Sequence, residues 1–427
     1  MAAVQRSCRQ ACNFSRAGFT LSMRSSFNTA RPAPVSVIAH SVVTACGTGC
    51  AALRDALINS RTGLQPNDVT LAPLATVIGR IGSADQDLPA ALQAWSCRNN
   101  RLAWQGLQAD GFADAVRQSM TRFGPTRVGL AMGTSTSSIG ETELAYRQVG
   151  SCDSDRPVVP LAQAGRPRVH TPHSLGLFVG HVLGIGGPSV TVSTACSSSA
   201  KVFAVAERWL QLDLVDAVVV GGVDSLCDSV LHGFNALQLI SASACRPFDV
   251  ARDGINLGEA AGFALLTREP SDLRLLGFGE SSDAFHMSSP HPAGVGVAQA
   301  TAAALAKAGV QGPDVDYLNL HGTASQKNDA IEAIVVDRFY GPDLHASATK
   351  GWTGHTLGAA GIVEAVICLE ALRTGFMPGI ANTLHLDPQC GPQIRIQADQ
   401  REIRIAASNS FGFGGSNCVL IFGRDDA

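Results

Sequence analysis

Residues 192–200 read Val192-Ser-Thr-Ala-Cys196-Ser-Ser-Ser-Ala200. Immediately upstream, a Gly187-Pro188 turn leads into residues 190–193, which predict a strand. Downstream, Val202, Phe203, Ala206 and Leu210 fall on one face of a helix predicted over 200–213. A strand therefore delivers a thiol, through a turn of small residues, to the start of an amphipathic helix. The same alternation recurs on both sides. Strands are predicted at 35–44, 128–132 and 217–220, the last running into Gly221-Gly222; a further strand at 315–320 is flanked by helices at 298–308, 329–339 and 361–373. Strand-helix alternation over this length predicts an α/β fold with a mainly parallel sheet, or sheets, between layers of helices.

Composition narrows the function. The chain has 427 residues, 45% hydrophobic and 16% charged. That is below the roughly 25% charged of an average soluble domain, and the hydrophobic share excludes intrinsic disorder. The length supports one large domain or two. Basic and acidic residues number 32 and 35, for a net charge of −3. Arg6, Arg9, Arg16, Arg24, Arg31 and Arg54 all precede the first acid, Asp55; setting them aside leaves 26 basic against 35 acidic, a balance of −9. An acidic body has no counterion-releasing surface for nucleic acid, so no nucleic-acid partner is expected. The uncharged stretches 32–53 and 169–200 are interrupted by Pro, Gly, His and hydroxyl residues, so no membrane span is expected and the protein is read as soluble and cytoplasmic. Twelve cysteines lack any Cys-x-x-Cys spacing, which predicts buried thiols in a reducing compartment and no metal site. The acid-free leader, residues 1–34, fits a disordered extension or an upstream start with Met23 as a later one. Organellar import is the minor alternative.

Four segments carry chemistry. The first holds Cys196, where the helix N-terminus favours a thiolate; taken singly, a cysteine near a strand end is more often a packed thiol. The second is Asn319-Leu-His321-Gly-Thr-Ala-Ser325, just past a predicted strand. The third is Lys350-Gly-Trp-Thr-Gly-His355-Thr-Leu-Gly-Ala-Ala-Gly361-Ile-Val-Glu364. The fourth, Asn409-Ser-Phe411-Gly-Phe413-Gly-Gly-Ser-Asn417, reads equally as a turn between two strands. Each histidine alone fits a structural hydrogen bond. Together the segments bring a nucleophile, two imidazoles and an ammonium in small-residue turns, a set suited to thioester chemistry through an enolate or oxyanion. Walker, Gly-x-Gly-x-x-Gly, His-Glu-x-x-His and Gly-x-Ser-x-Gly motifs are absent.

In this order the four segments resemble the elongating β-ketoacyl-acyl-carrier-protein synthases, the type I and II ketosynthases of the thiolase superfamily. Arg246-Pro-Phe-Asp249, Gly258-Glu259 and Ser281-Ser-Asp-Ala-Phe-His-Met287 extend the likeness, which runs from about Val35 to Phe422. The resemblance implies a thiolase-like fold of two similar halves layered α-β-α-β-α, with boundaries at 35–266 and 267–427 and the nucleophile in the first half. It implies an acyltransferase that extends an acyl chain by two carbons from malonyl-carrier protein, in fatty-acid or polyketide biosynthesis. Cys196 would take the acyl group. His321 and His355 would decarboxylate the malonyl unit and hold the enolate, and Lys350 and Glu364 would order them. The N–H groups of Cys196 and Phe413 would form the oxyanion hole, with Phe413 also a gate and Phe411 beside it. Thr323 and Ser325 would hold the pantetheine arm. Asp283 and His286 match a pair lying behind the site. No bound cofactor is expected, since substrates ride on the carrier's phosphopantetheine.

Departures are informative. Thr136, in Gly133-Thr-Ser-Thr-Ser-Ser138, stands where a bulky aliphatic lines the acyl pocket, so an unusual chain is expected. Gln326-Lys-Asn-Asp329 and Ser288-Ser-Pro-His-Pro292 look more like synthases of specialised polyene or polyketide pathways. Arg98 and Arg101 fall near the carrier-docking region of relatives, or are ordinary solvated helix charges. A homodimer, or a heterodimer with a paralogue, is expected. The alternatives are a non-elongating partner subunit, which the presence of Cys196 disfavours, and a malonyl-carrier decarboxylase.

Overall fold

The computed structural model describes residues 35–149 and 169–425. The leader, the proposed start at Met23 and Cys8, Cys12 and Cys152 lie outside the described residues. Ten main strands are β1 (Val35–Thr44), β2 (Val128–Gly133), β3 (Ser189–Val192), β4 (Ala217–Asp224), β5 (Ala260–Thr267), β6 (Leu273–Ser282), β7 (Tyr317–Asn319), β8 (His345–Ser347), β9 (Ile405–Gly412) and β10 (Ser416–Arg424). They hydrogen-bond in the order β8-β7-β9-β10-β6-β1-β5-β4-β2-β3, with a short strand at Gly47–Thr48 added on β1. The join between β1 and β6 is only two residue pairs, Val35 with Leu275 and Ser36 with Arg274. On either side of it stand five strands from residues 35–267 and five from 273–424.

The sheet is mixed rather than mainly parallel. Parallel pairs occupy the two ends, β2 with β3 and β4, and β7 with β8 and β9. Its centre is antiparallel, through β5 with β1 and β4, and β10 with β6 and β9. Both β4 and β5 are buried throughout, so neither shows the alternation that would separate a strand from a buried helix in sequence. Strand β4 also continues through Gly221 and Gly222 to Asp224.

Period-two alternation appears in where each side chain packs. Val218 and Val220 point to the central core, and Ala217, Val219 and Val223 to an outer one. In β10, Cys418, Leu420 and Phe422 face the centre, while Val419 and Ile421 face the other outer layer. Helices α1 (Arg98–Gln108), α2 (Phe112–Phe123) and α3 (Ser174–Leu183) cover the first outer face. Helix α4 (Ser198–Gln211) lies in the middle, α5 (Val295–Ala308) and α6 (Gln326–Phe339) on the second outer face, and α7 (Ala360–Thr374) beside α4. The central pair touches strands of both sets. The result is the five-layer α-β-α-β-α arrangement.

Close approach fixes α4. A Cβ on Gly222 would lie 2.4 Å from that of Ser199, and one on Gly361 would lie 2.5 Å from the Ala200 nitrogen. The Ser199 hydroxyl then accepts from the Ile362 N–H at 3.0 Å, tying α4 to the first turn of α7. No helix among the described residues is long and apolar enough to cross a membrane.

Candidate active site

Three strand ends and one hairpin converge on a cavity of about 570 Å³. After β3 the chain turns through Ala195, at φ 52°, to Cys196 and the start of α4. After β7 it passes His321 and Ala324, at φ 64°, before α6; His355 precedes Leu357, at φ 56°. Non-glycine residues in the left-handed region are uncommon, and these three stand within three positions of Cys196, His321 and His355. The backbone is forced where the reactive groups must point inward.

Cys196 is 4% exposed, and its Sγ lies 3.0 Å from His355 Nε2. The His321 and His355 rings stand edge to face, with centroids 5.4 Å apart, and a ring nitrogen of each lies within 4.8 Å of the sulfur and of the other. Burial pushes the Cys196 thiol up to about 12, against the pull of the Lys350 charge and the Phe413 N–H. The sequence-based expectation of a thiolate at a helix N-terminus is therefore outweighed by desolvation. Burial holds both imidazoles well below their ordinary value; the Lys350 charge adds to this at each, and the neighbouring ring adds to it at His321. They are neutral at physiological pH.

Lys350 and Glu364 are both buried and form an ion pair. The Lys350 ammonium also donates to the His321 carbonyl and approaches His321 Nδ1 at 3.5 Å. A donor at Nδ1 leaves the His321 proton on Nε2. Burial raises Glu364 to about 7, while the Lys350 charge opposes the shift.

Phe411, Phe413, Thr323 and Ser325 line the cavity with Cys196 and the two histidines. Phe411 packs against His321 at 5.6 Å between centroids, and Phe413 stacks on Phe234 at 5.4 Å. The Thr323 and Ser325 hydroxyls are 3.0 Å apart. The fourth segment is a β9-β10 hairpin turn, its plain structural reading, and the same turn carries Phe413 into the site. Asp283 and His286 both line the cavity, with Asp283 hydrogen-bonded to Gly415 and the His291 N–H.

Three of the sequence candidates sit elsewhere. Thr136 does not line this cavity; its hydroxyl donates to Asp224 at 2.7 Å. The Arg98 guanidinium is bound to fully buried Glu259 and to Asp85, so its charge is answered inside the fold rather than offered to a carrier. Arg101 donates to the Ala84 carbonyl and the Ser96 hydroxyl, on the same inward side of α1.

Several supporting residues escaped the sequence reading. Glu332 accepts the His321 N–H at 2.7 Å, the Gly322 N–H at 2.8 Å and the Asn409 amide at 2.9 Å. Asp329 accepts the Thr323 and Phe248 N–H groups. Their i, i+3 spacing directly after the His321 loop is the available signal, since it puts two carboxylates on one helix face. Asp224 gathers hydroxyls and N–H groups of Thr134, Ser135 and Thr136 together with the Gly358 N–H. It braces the loop after β2 against the segment that follows His355.

The β-ketoacyl synthase N-terminal domain profile matches residues 99–271, and the C-terminal domain profile residues 274–384. Nodulation protein E of Rhizobium meliloti is 34% identical over 330 residues, 72% of this chain and 79% of that protein. The 3-oxoacyl-[acyl-carrier-protein] synthase 2 of Rhizobium meliloti (strain 1021) is 39% identical over 264 residues, 56% of this chain and 61% of that one. Among solved structures, a Xenorhabdus doucetiae ketosynthase in complex with its chain length factor aligns with a TM-score of 0.85 at 34% identity. The match covers 92% of this chain and 98% of that one. The five-layer fold, the convergence of Cys196 with two neutral histidines and these matches lead to one conclusion: the chain belongs to the β-ketoacyl synthase family.

Proposed function

We propose that this ketosynthase accepts an acyl chain from a carrier protein onto Cys196 and extends it by two carbons from malonyl-carrier protein. The contact between Cys196 Sγ and His355 Nε2, at 3.0 Å, carries the reading. The buried thiol is protonated at rest, so attack on the incoming thioester needs an acceptor for its proton, and His355 is within reach. The sulfur–acyl bond forms as the pantetheine C–S bond breaks, and the proton passes to the departing pantetheine sulfur. In the second half-reaction the malonyl C–C bond breaks and carbon dioxide leaves. His321, neutral with its proton on Nε2, donates to the enolate oxygen, and His355 lines the same pocket beside it. The enolate carbon then bonds to the acyl carbonyl, the oxyanion rests on the Cys196 and Phe413 N–H groups, and as it collapses the Cys196 C–S bond breaks, the departing sulfur taking a proton from solvent.

Lys350 and Glu364 act through His321, and Phe411 and Phe413 gate the chain. Thr323 and Ser325 hold the arm. Residues 35–266 and 267–427 are the two halves of this catalytic unit, which works in the cytoplasm without a bound cofactor. Its oligomer is a dimer, either of two such chains or with a paralogue; among the described residues β3 is paired on one edge only, leaving a row of backbone groups to be covered. Acyl-carrier protein incubated with the pure chain is expected to leave the acyl mass on the Cys196 peptide. Acylation of a Cys196→Ala variant to the same extent would move the nucleophile elsewhere.

A further inference from the structure

The residues lining the cavity include one Lys or Arg among those described, Lys327. It is exposed yet lines the same cavity as buried Cys196, which places it at the mouth. The two carboxylates in the lining are already engaged. Asp253 accepts from the Ser241 hydroxyl at 2.8 Å and lies 3.6 Å from Arg246, and Asp283 accepts the His291 N–H. Lys327 has no ion-pair partner among the described residues; its ammonium lies 3.4 Å from the Ser289 hydroxyl across the mouth. Helix stability does not account for it either. Lys327 stands in the first turn of α6, where a cation works against the helix dipole, and Asp329 in that turn is directed inward to the Thr323 and Phe248 N–H groups.

We propose that Lys327, with the Ser289 hydroxyl, seats the phosphate of the carrier's phosphopantetheine arm at the cavity mouth. The inference deepens the condensing reading and rests on it for the identity of the arm. A group that threads past Ser325 and Thr323 to Cys196 carries its single permanent charge at the end remote from the thioester. An unpaired ammonium beside a hydroxyl at the outer end offers that charge a donor pair.

Phosphopantetheine and pantetheine differ only in this phosphate, and their binding to the full chain by calorimetry needs no turnover. The wild-type chain is expected to bind phosphopantetheine about tenfold more tightly, the scale of one charge-assisted hydrogen bond. Lys327→Ala should abolish that preference, Lys327→Arg should keep it, and rising salt should shrink it. Equal binding of the two ligands by the wild-type chain, or a preference that survives Lys327→Ala, overturns the proposal. A preference that depends on Lys327 in a chain whose Cys196 takes no acyl group supports the phosphate seat while removing the condensing reading, so the two fail separately.

Discussion

Cys196 and Lys350 each sit where burial and a neighbour compete, and both yield a direct measurement. Because desolvation holds the thiol near 12, above the free value, the thiolate fraction rises with pH throughout the physiological range. Alkylation of Cys196 by iodoacetamide is expected to accelerate about tenfold per pH unit through pH 9 without levelling. A plateau by about pH 8 would show instead that the helix terminus and the Phe413 N–H dominate burial. Lys350→Ala removes the donor beside His321 Nδ1 and strands Glu364 in the core. Condensation should fall about a hundredfold or more, the scale of a mispositioned acid-base group. The urea midpoint should drop by the equivalent of about 3 kcal/mol, because one partner of a buried pair is left unanswered. Normal condensation by that variant would separate Lys350 from the histidine it contacts.

Helices α4 and α6 locate the reactive groups, and each depends on a small set of contacts. Gly361→Ala places a methyl against the Ala200 backbone, which has no flexible end to yield. A loss of about 1–3 kcal/mol in chemical denaturation is expected, together with slower Cys196 acylation as α4 shifts. Unchanged stability would mean the two central helices are not held by that approach. Glu332→Ala leaves the buried His321 and Gly322 N–H groups unpaired, costing about 2 kcal/mol or more, whereas Glu332→Gln retains an acceptor and should lose less. Equal losses would indicate that the charge of Glu332, rather than its acceptor oxygens, holds the loop. Of the strands nearest the chemistry, β8 (His345-Ala-Ser347) has no β-branched run to announce it, while β3 was legible because Val190–Val192 runs into a small-residue turn. Strands β5 and β6 were not. The run at Ala260–Thr267 is apolar on both faces and carries no alternation to separate strand from helix. The bonds made by Thr136 and Arg98 were hidden for a related reason. Their partners Asp224 and Glu259 lie 88 and 161 positions away, so nothing local announces that hydroxyl or guanidinium as taken.

Across the whole molecule, the acidic body commits many of its arginines to its own carboxylates. Arg98, Arg127, Arg252 and Arg268 are all bound to carboxylates of the chain itself. The net charge of the body was readable from sequence, but the fate of each arginine was not, because ion pairing depends on chain crossings that only the folded sheet creates. Under the proposed function, a carrier is recognised by local groups at the cavity mouth more than by long-range attraction. The proposed condensation joins the two sets of strands, since Cys196 comes from the set in residues 35–267 and the two histidines from the set in 273–424. The most direct test supplies the purified chain with acyl-carrier and malonyl-carrier protein and reads carrier masses alongside the Cys196 peptide. The expected result is acyl-Cys196 as an intermediate and a 3-oxoacyl-carrier two carbons longer than the starting chain. Acetyl-carrier as the sole product, or no new carrier species while Cys196 stays unmodified, contradicts the assignment of Cys196, His321 and His355 to a condensation carried out by this chain.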